Sequence, residues 1–141
     1  MFSFLRSLFA PHVQPMNVVR ISYKHILQNF GYLRSLQPDS FLFPVLKSNA
    51  YGHGLKEMVK ILKRVNAPYV VVDSFPEYQI VRDYSRFDIL VLGETLSENY
   101  RHFDFSRTAF AVYNKETIHA LGRIGKKIKI HLFLNTGMNR E

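Results

Sequence analysis

Apolar residues in this chain form short continuous runs, and between the runs they recur every three or four positions. The first pattern reads as buried strand and the second as amphipathic helix, and the two alternate at intervals of about 20 residues. Val18-Val19-Arg20-Ile21 is a short β-branched run, and Ser22 can cap the helix that follows, in which Ile26, Phe30 and Leu33 share a face. Pro38-Asp39 ends that unit. Phe41 to Leu46 reads as a buried strand in which Pro44 marks an edge, a bulge or a gap in the ladder, because proline has no N–H to give. Leu55, Met58, Val59, Leu62 and Val65 then make one apolar stripe with lysines opposite, an amphipathic helix. Tyr69 to Val72 is the next strand. Ser74 and Glu77 have capping-box spacing and start a helix to about Tyr84. Asp88 to Gly93 is a further strand, Ser97 caps a helical turn through Tyr100, and Thr108 to Val112 precedes a helix from Asn114 to about Leu121. Ile128 to Leu134 is the last strand.

The strands are apolar throughout, without the polar alternation of a sheet that is wet on one face, which argues for parallel strands buried on both faces. Two α/β architectures share this pattern, the doubly wound sheet and the (β/α)₈ barrel. Five barrel-type strands are expected after the initial one, whereas a closed barrel takes eight and about 250 residues. On the barrel reading, residues 17–141 would form a partial TIM-type barrel, incomplete at the C-terminus. Residues 1–16 read as an N-terminal extension; Arg6 interrupts its apolar run, so a secretory signal is not expected.

With 141 residues, 47% of them hydrophobic, the chain can build one ordinary core. The absence of cysteine excludes a disulfide scaffold and thiolate metal sites and fits a reducing compartment, so a cytoplasmic location is expected. A net charge of +8 favours anionic partners. Its clusters, Lys56, Lys60, Lys63 and Arg64 in one helix and Lys126, Lys127 and Lys129 before a strand, read as solvated faces, and no nucleic-acid-binding signature accompanies them. No run approaches the ~18 apolar residues of a membrane span. Neither a nucleic-acid nor a membrane partner is expected.

Chemistry concentrates at Val45-Leu46-Lys47-Ser48-Asn49-Ala50-Tyr51-Gly52-His53-Gly54, where an apolar run ends in lysine and a polar loop with two glycines follows. This puts one amine at the mouth of a strand, the ligand-facing edge of either α/β architecture. Gly52 and Gly54 allow a sharp bend before the helix at Leu55. His53 has no metal-ligand spacing with another histidine and reads as structural. A second polar segment, Asn135-Thr136-Gly137-Met138-Asn139-Arg140, follows the last strand.

Together the two segments resemble the pyridoxal 5'-phosphate (PLP) motifs of the alanine racemases. The resemblance implies that Lys47 holds PLP as an imine and serves as a base at a Cα carbanion, with the cofactor as electron sink. It implies that Tyr51 directs its hydroxyl to the cofactor phosphate. Arg140 would lie near the cofactor ring and the substrate carboxylate, which a planar guanidinium can bind through two hydrogen bonds. No metal is implied. The reaction would interconvert L- and D-alanine, supplying D-alanine for peptidoglycan. The resemblance runs from about Val18 to Arg140 and covers the N-terminal half of the family's barrel. A tyrosine that protonates the opposite face comes, in the family, from the C-terminal domain of the partner subunit. Residues 1–141 are therefore expected to be inactive alone and to belong to a homodimer when full length.

Two positions depart from the family pattern. Members often carry lysine seven residues before the arginine and aspartate five before it, where this chain has Phe133 and Asn135. Two alternatives stay open: another barrel-type PLP protein, either an amino-acid decarboxylase or a PLP carrier, and a basic module that binds nucleic acid or another anion.

Overall fold

The computed structural model of the chain describes residues 14, 16–65, 67–137 and 139. Of the extension, only Gln14 and Met16 are among them. Ser22 caps α1 (Tyr23–Leu36), its hydroxyl accepting from the His25 N–H at 3.3 Å. A single helical turn (Lys47–Tyr51) and α2 (Leu55–Leu62) follow. Then come β1 (Tyr69–Val72), α3 (Phe75–Tyr84), β2 (Asp88–Val91), a 3-10 turn (Ser97–His102), β3 (Thr108–Val112), α4 (Lys115–Gly122) and β4 (Lys129–Leu132). The strands form one parallel sheet in the order β1-β2-β3-β4. Each strand therefore ends at the same edge, and every loop that leaves a strand opens onto it.

Two expected strands differ. Residues 18–21 form no strand and pair with nothing in the described sheet, and Val19 stays 75% exposed. The strand expected over Phe41–Leu46 is reduced to one parallel bridge, Val45 to Val71. Val71 N–H donates to the Pro44 carbonyl at 2.9 Å, and Leu46 N–H donates to the Val71 carbonyl at 2.7 Å. Extending this ladder toward Tyr69 would need an N–H at position 44, which proline lacks. Phe43 packs its ring on Tyr69 instead, with centroids 5.0 Å apart. Even so, the segment lies beside β1 as a fifth parallel member and brings Lys47 to the common edge.

The distribution of buried residues decides between the two α/β architectures. Strand residues Val70, Val72, Ile89, Val91, Phe110 and Val112 form the larger cluster together with helix residues such as Val59, Leu62, Val81 and Leu121. Val71, Leu90 and Ala109, on the other face, pack only with Phe43, Tyr69 and Leu92, all from strands or their ends. Helices thus cover a single face of the sheet, as in a barrel, whereas a doubly wound sheet carries them on both. Burying each large aliphatic side chain on the helix-covered face contributes roughly 1.5–3 kcal/mol. At the lower end of the other face, Asp88 pairs with Arg107 at 3.4 Å and with Lys129 at 3.6 Å. β4 is exposed along its length, unlike β1 to β3, because no helix follows it among the described residues; Leu132 is 62% exposed.

Loops at the upper edge are tied to each other. Gly93 N–H donates to the Asp73 carbonyl at 3.0 Å, and a Cβ at position 93 would lie 2.1 Å from that oxygen. Only glycine fits this crossing. Next to it, Glu94 accepts from Asn114 at 2.7 Å and from the Thr117 hydroxyl at 3.0 Å, linking the exit of β2 to the start of α4. These two hydrogen bonds hold its carboxyl below the ordinary glutamate range.

Gly93→Ala is expected to cost about 1–3 kcal/mol, since backbone must move to admit the methyl group, and chemical denaturation measures it. A depressed carboxyl pKa contributes stability above the unfolded value, and that stability is lost as pH falls through the folded value. Glu94→Gln should thus be less stable than wild type at neutral pH, by under about 1 kcal/mol for so exposed a group. The gap should close in acid, below the glutamate range, in denaturation curves recorded across pH.

Candidate active site

Lys47 follows the Val45 bridge directly, and the chain then makes an unusual turn. Ser48, Asn49, Ala50 and Tyr51 all have φ between 52° and 55°. Their ψ values, where they fall inside the turn, are 44° to 50°, so this is a left-handed helical turn. Such a conformation costs roughly 1–2 kcal/mol per non-glycine residue, and only asparagine among these four tolerates it well. Dense hydrogen bonding holds it. Ala50 N–H donates to Leu46 O at 2.7 Å, Gly52 N–H to Ser48 O at 3.2 Å, and both His53 N–H and Nδ1 reach Ala50 O, at 3.0 and 2.9 Å. Asn49 Oδ1 accepts from Leu55 N–H at 2.7 Å, while its carbonyl accepts from Gly54 N–H at 3.0 Å. Gly52 and Gly54, at φ 85° and 90°, complete the return into α2. His53 is thus a structural residue of the turn, in keeping with its lack of ligand spacing.

The Lys47 ammonium group faces the Asp73 carboxylate at 3.7 Å, and its side chain is 30% exposed. Asp73 is the residue just past β1. The charged partner given to the lysine here is an anion. A pair this long and this open is weak and leaves the amine accessible. Tyr51 stands on the same left-handed turn, 62% exposed. Arg140 lies outside the described residues, as does Met138.

What precedes Arg140 is described. Asn135 Oδ1 accepts from the N–H groups of Gly137 at 3.0 Å and Asn139 at 3.1 Å, and its amide donates to Asn139 Oδ1 at 3.2 Å. Asparagine at this position therefore does what an aspartate acceptor would do for the turn, and gains one donor. Phe133, where family members often have lysine, packs its ring on Tyr113 with centroids 5.0 Å apart, and the Tyr113 hydroxyl donates to the Leu92 carbonyl at 2.6 Å.

Sequence reasoning missed the two carboxylates around Lys47. Glu77 was expected to close a capping box with Ser74, and α3 does start there, but the Ser74 side chain makes no capping hydrogen bond. Glu77 instead accepts from Asp73 N–H through Oε2 at 2.9 Å and from Ser48 N–H through Oε1 at 2.7 Å. The Ser-x-x-Glu spacing was visible; the distant donor 29 residues away was not.

An amine open to solvent at the common edge, one carboxylate away from it, and an exposed phenol on the same turn form a donor set that suits an aldehyde bearing a phosphate. Among the described residues no group of three or more His, Cys, Asp or Glu side chains could hold a metal ion. The family model described as "Alanine racemase, N-terminal domain" matches residues 21–141. An alanine racemase of Leptospira interrogans is 33% identical over 126 residues, which span 86% of this chain and 32% of that protein. The structure of alanine racemase from Oenococcus oeni superposes with a TM-score of 0.77 at 27% identity, covering 86% of this chain and 36% of its own. A histidine racemase from Leuconostoc mesenteroides gives 0.78 at 29% identity, over 93% of this chain and 36% of its own. The chain spans about a third of the length of the curated relatives it matches. The match over residues 21–141, together with helices on one face of a parallel sheet, shows that the chain belongs to the alanine racemase family and matches part of its N-terminal domain.

Proposed function

We propose that the protein containing this chain is a PLP-dependent alanine racemase and that residues 1–141 supply its cofactor lysine. The observation that carries this reading is the Lys47 amine, held at the common edge of the parallel strands by a left-handed turn inside the family match. When bound, the cofactor supplies an electron sink that makes the substrate Cα–H acidic. Lys47 is assigned two tasks, tether and proton carrier on one face of Cα. Tyr51 is assigned to the phosphate; its side chain is exposed and belongs to neither core cluster. Arg140 is assigned to the substrate carboxylate, with Asn135 fixing the turn that leads to it.

Racemisation needs a proton donor and an acceptor on opposite faces of one carbon, and Lys47 serves one face. On this reading the second group is a tyrosine of the partner subunit in a homodimer, outside residues 17–141. The proposed substrate is alanine. The histidine racemase among the structural neighbours supports a second reading with the same chemistry and a larger side chain. No helix among the described residues is long and apolar enough to cross a membrane, and a cytoplasmic location fits a chain without cysteine. A PLP-binding decarboxylase or carrier would share the lysine and lack the racemase activity. A basic nucleic-acid module would share neither.

Lys47→Ala in the full-length protein should abolish exchange of L- for D-alanine and remove an absorbance band near about 420 nm that borohydride bleaches in wild type. Wild-type racemisation by that variant would overturn the assignment. Steeply salt-dependent DNA binding without the band would favour the basic module. Relative rates with alanine and histidine separate the two substrates.

A further inference from the structure

The carboxylate of Glu77 occupies a position that neither the motif nor the proposed chemistry accounts for. A glutamate in the third position of a helix ordinarily reaches back to the N–H of the capping residue and completes a local box. Glu77 passes over Ser74 and uses its two oxygens on two separate loops. One oxygen takes the N–H of Asp73, just past β1, and the other takes the N–H of Ser48, the first residue of the left-handed turn. Lys47 precedes Ser48 directly, and Asp73 is the residue that faces the Lys47 ammonium group at 3.7 Å. A single carboxylate thus fixes the backbone at both members of the lysine–aspartate pair.

From this geometry we infer that Glu77 is a positioning residue for Lys47: it anchors the left-handed turn to the exit of β1 and so sets where the reactive amine and its counter-charge stand. The inference rests on the proposed role of Lys47 and deepens it. Both N–H groups point at oxygens, so the site asks for two acceptors. Glutamine offers one oxygen and one NH₂ group, and the NH₂ group would confront a donor. Aspartate is one methylene shorter and cannot reach both loops from the same helix position. Only an ionised glutamate satisfies the pair, and a charged acceptor makes each bond stronger than a neutral one would. The Asp73 carbonyl is meanwhile held by Gly93 N–H, so the exit of β1 is pinned from the opposite side as well. If Glu77 lets go, the freedom gained falls on the Ser48 side.

The test compares wild type with Glu77→Gln, Glu77→Ala and Lys47→Ala in the full-length protein, using three readouts. Amide hydrogen exchange is followed at Ser48 and Asp73, with Val70 and Val91 as monitors of the fold. Borohydride trapping of added PLP is quantified by mass on the peptide that contains Lys47. The rate at which a small acylating reagent labels Lys47, relative to Lys60, is followed across pH. Glu77→Gln should speed exchange at Ser48 on the order of tenfold, as for loss of one charged hydrogen bond, and more than at Asp73, with Val70 and Val91 unchanged. It should reduce PLP trapping and shift the pH profile of Lys47 labelling while Lys60 is unaffected, and Glu77→Ala should do more of each. Wild-type exchange, trapping and labelling in Glu77→Gln would overturn the inference. Faster exchange at Val70 and Val91 in the same variant would also overturn it, by showing that Glu77 serves the fold as a whole. Should Lys47→Ala trap PLP at that peptide or elsewhere as well as wild type does, the cofactor reading fails. The exchange arm then still decides whether Glu77 clamps the two loops.

Discussion

The site depends on a left-handed turn made without glycine. Four consecutive residues, Ser48 to Tyr51, hold positive φ, each against a steric cost that a right-handed turn would avoid. Such a segment persists only where its surroundings over-determine it. Here they do: Leu46 is fixed in the β1 ladder before the turn, Asn49 caps the start of α2 after it, and Glu77 grips Ser48 from the side. The turn's handedness has a direct consequence. A right-handed helix starting at Lys47 would carry the following chain, and Tyr51 with it, off in the other rotational sense, whereas this turn returns the chain at Gly52 to Gly54 into α2 and keeps Lys47 and Tyr51 on one compact unit at the sheet edge.

That unit can be placed accurately only because the sheet beneath it is rigid. In β1 to β3 the central residues are buried on both faces, by helices on one side and by strand neighbours on the other. Parallel strands end together, so a rigid sheet gathers Lys47, Asp73, Gly93 and Tyr113 along one line without any of their loops being long. The close crossing of Gly93 over Asp73 then couples neighbouring loops to each other. Positioning in this domain therefore runs from strand packing to loop crossings to a single carboxylate clamp, and only at the last step to the amine.

Much of this was legible in the sequence, and where it was not, the reason is physical. The apolar runs located β1, β2 and β3, and the cap residue Ser22 fixed the start of α1, because those signals are local. The strand at Phe41–Leu46 was overcalled because the apolar run outweighed the one residue, Pro44, that cannot donate to the ladder. Lys47 was found from its place at the end of that run and from the string that follows it. Its handedness was not, since neither Ser48, Ala50 nor Tyr51 carries a local preference for positive φ; the turn is imposed by tertiary hydrogen bonds. Asp73 and Glu77 escaped for the same reason. A carboxylate that serves partners 4 and 29 residues away leaves no periodic trace.

The departures at Phe133 and Asn135 bear on how such a site tolerates change. Both lie at the end of β4, on the edge of the described sheet, where no following helix packs and side chains stay open. Asn135 supplies an uncharged acceptor to the turn that follows β4. Phe133 instead places at its position a ring packed on Tyr113, whose own hydroxyl is tied to the exit of β2. The tilted contact between the two rings is apolar, so neither pH nor salt loosens it. The turn after β4 is thus held by amide and backbone hydrogen bonds of Asn135, while the ion pair and the carboxylate clamp lie at the other end of the strand row, around Lys47.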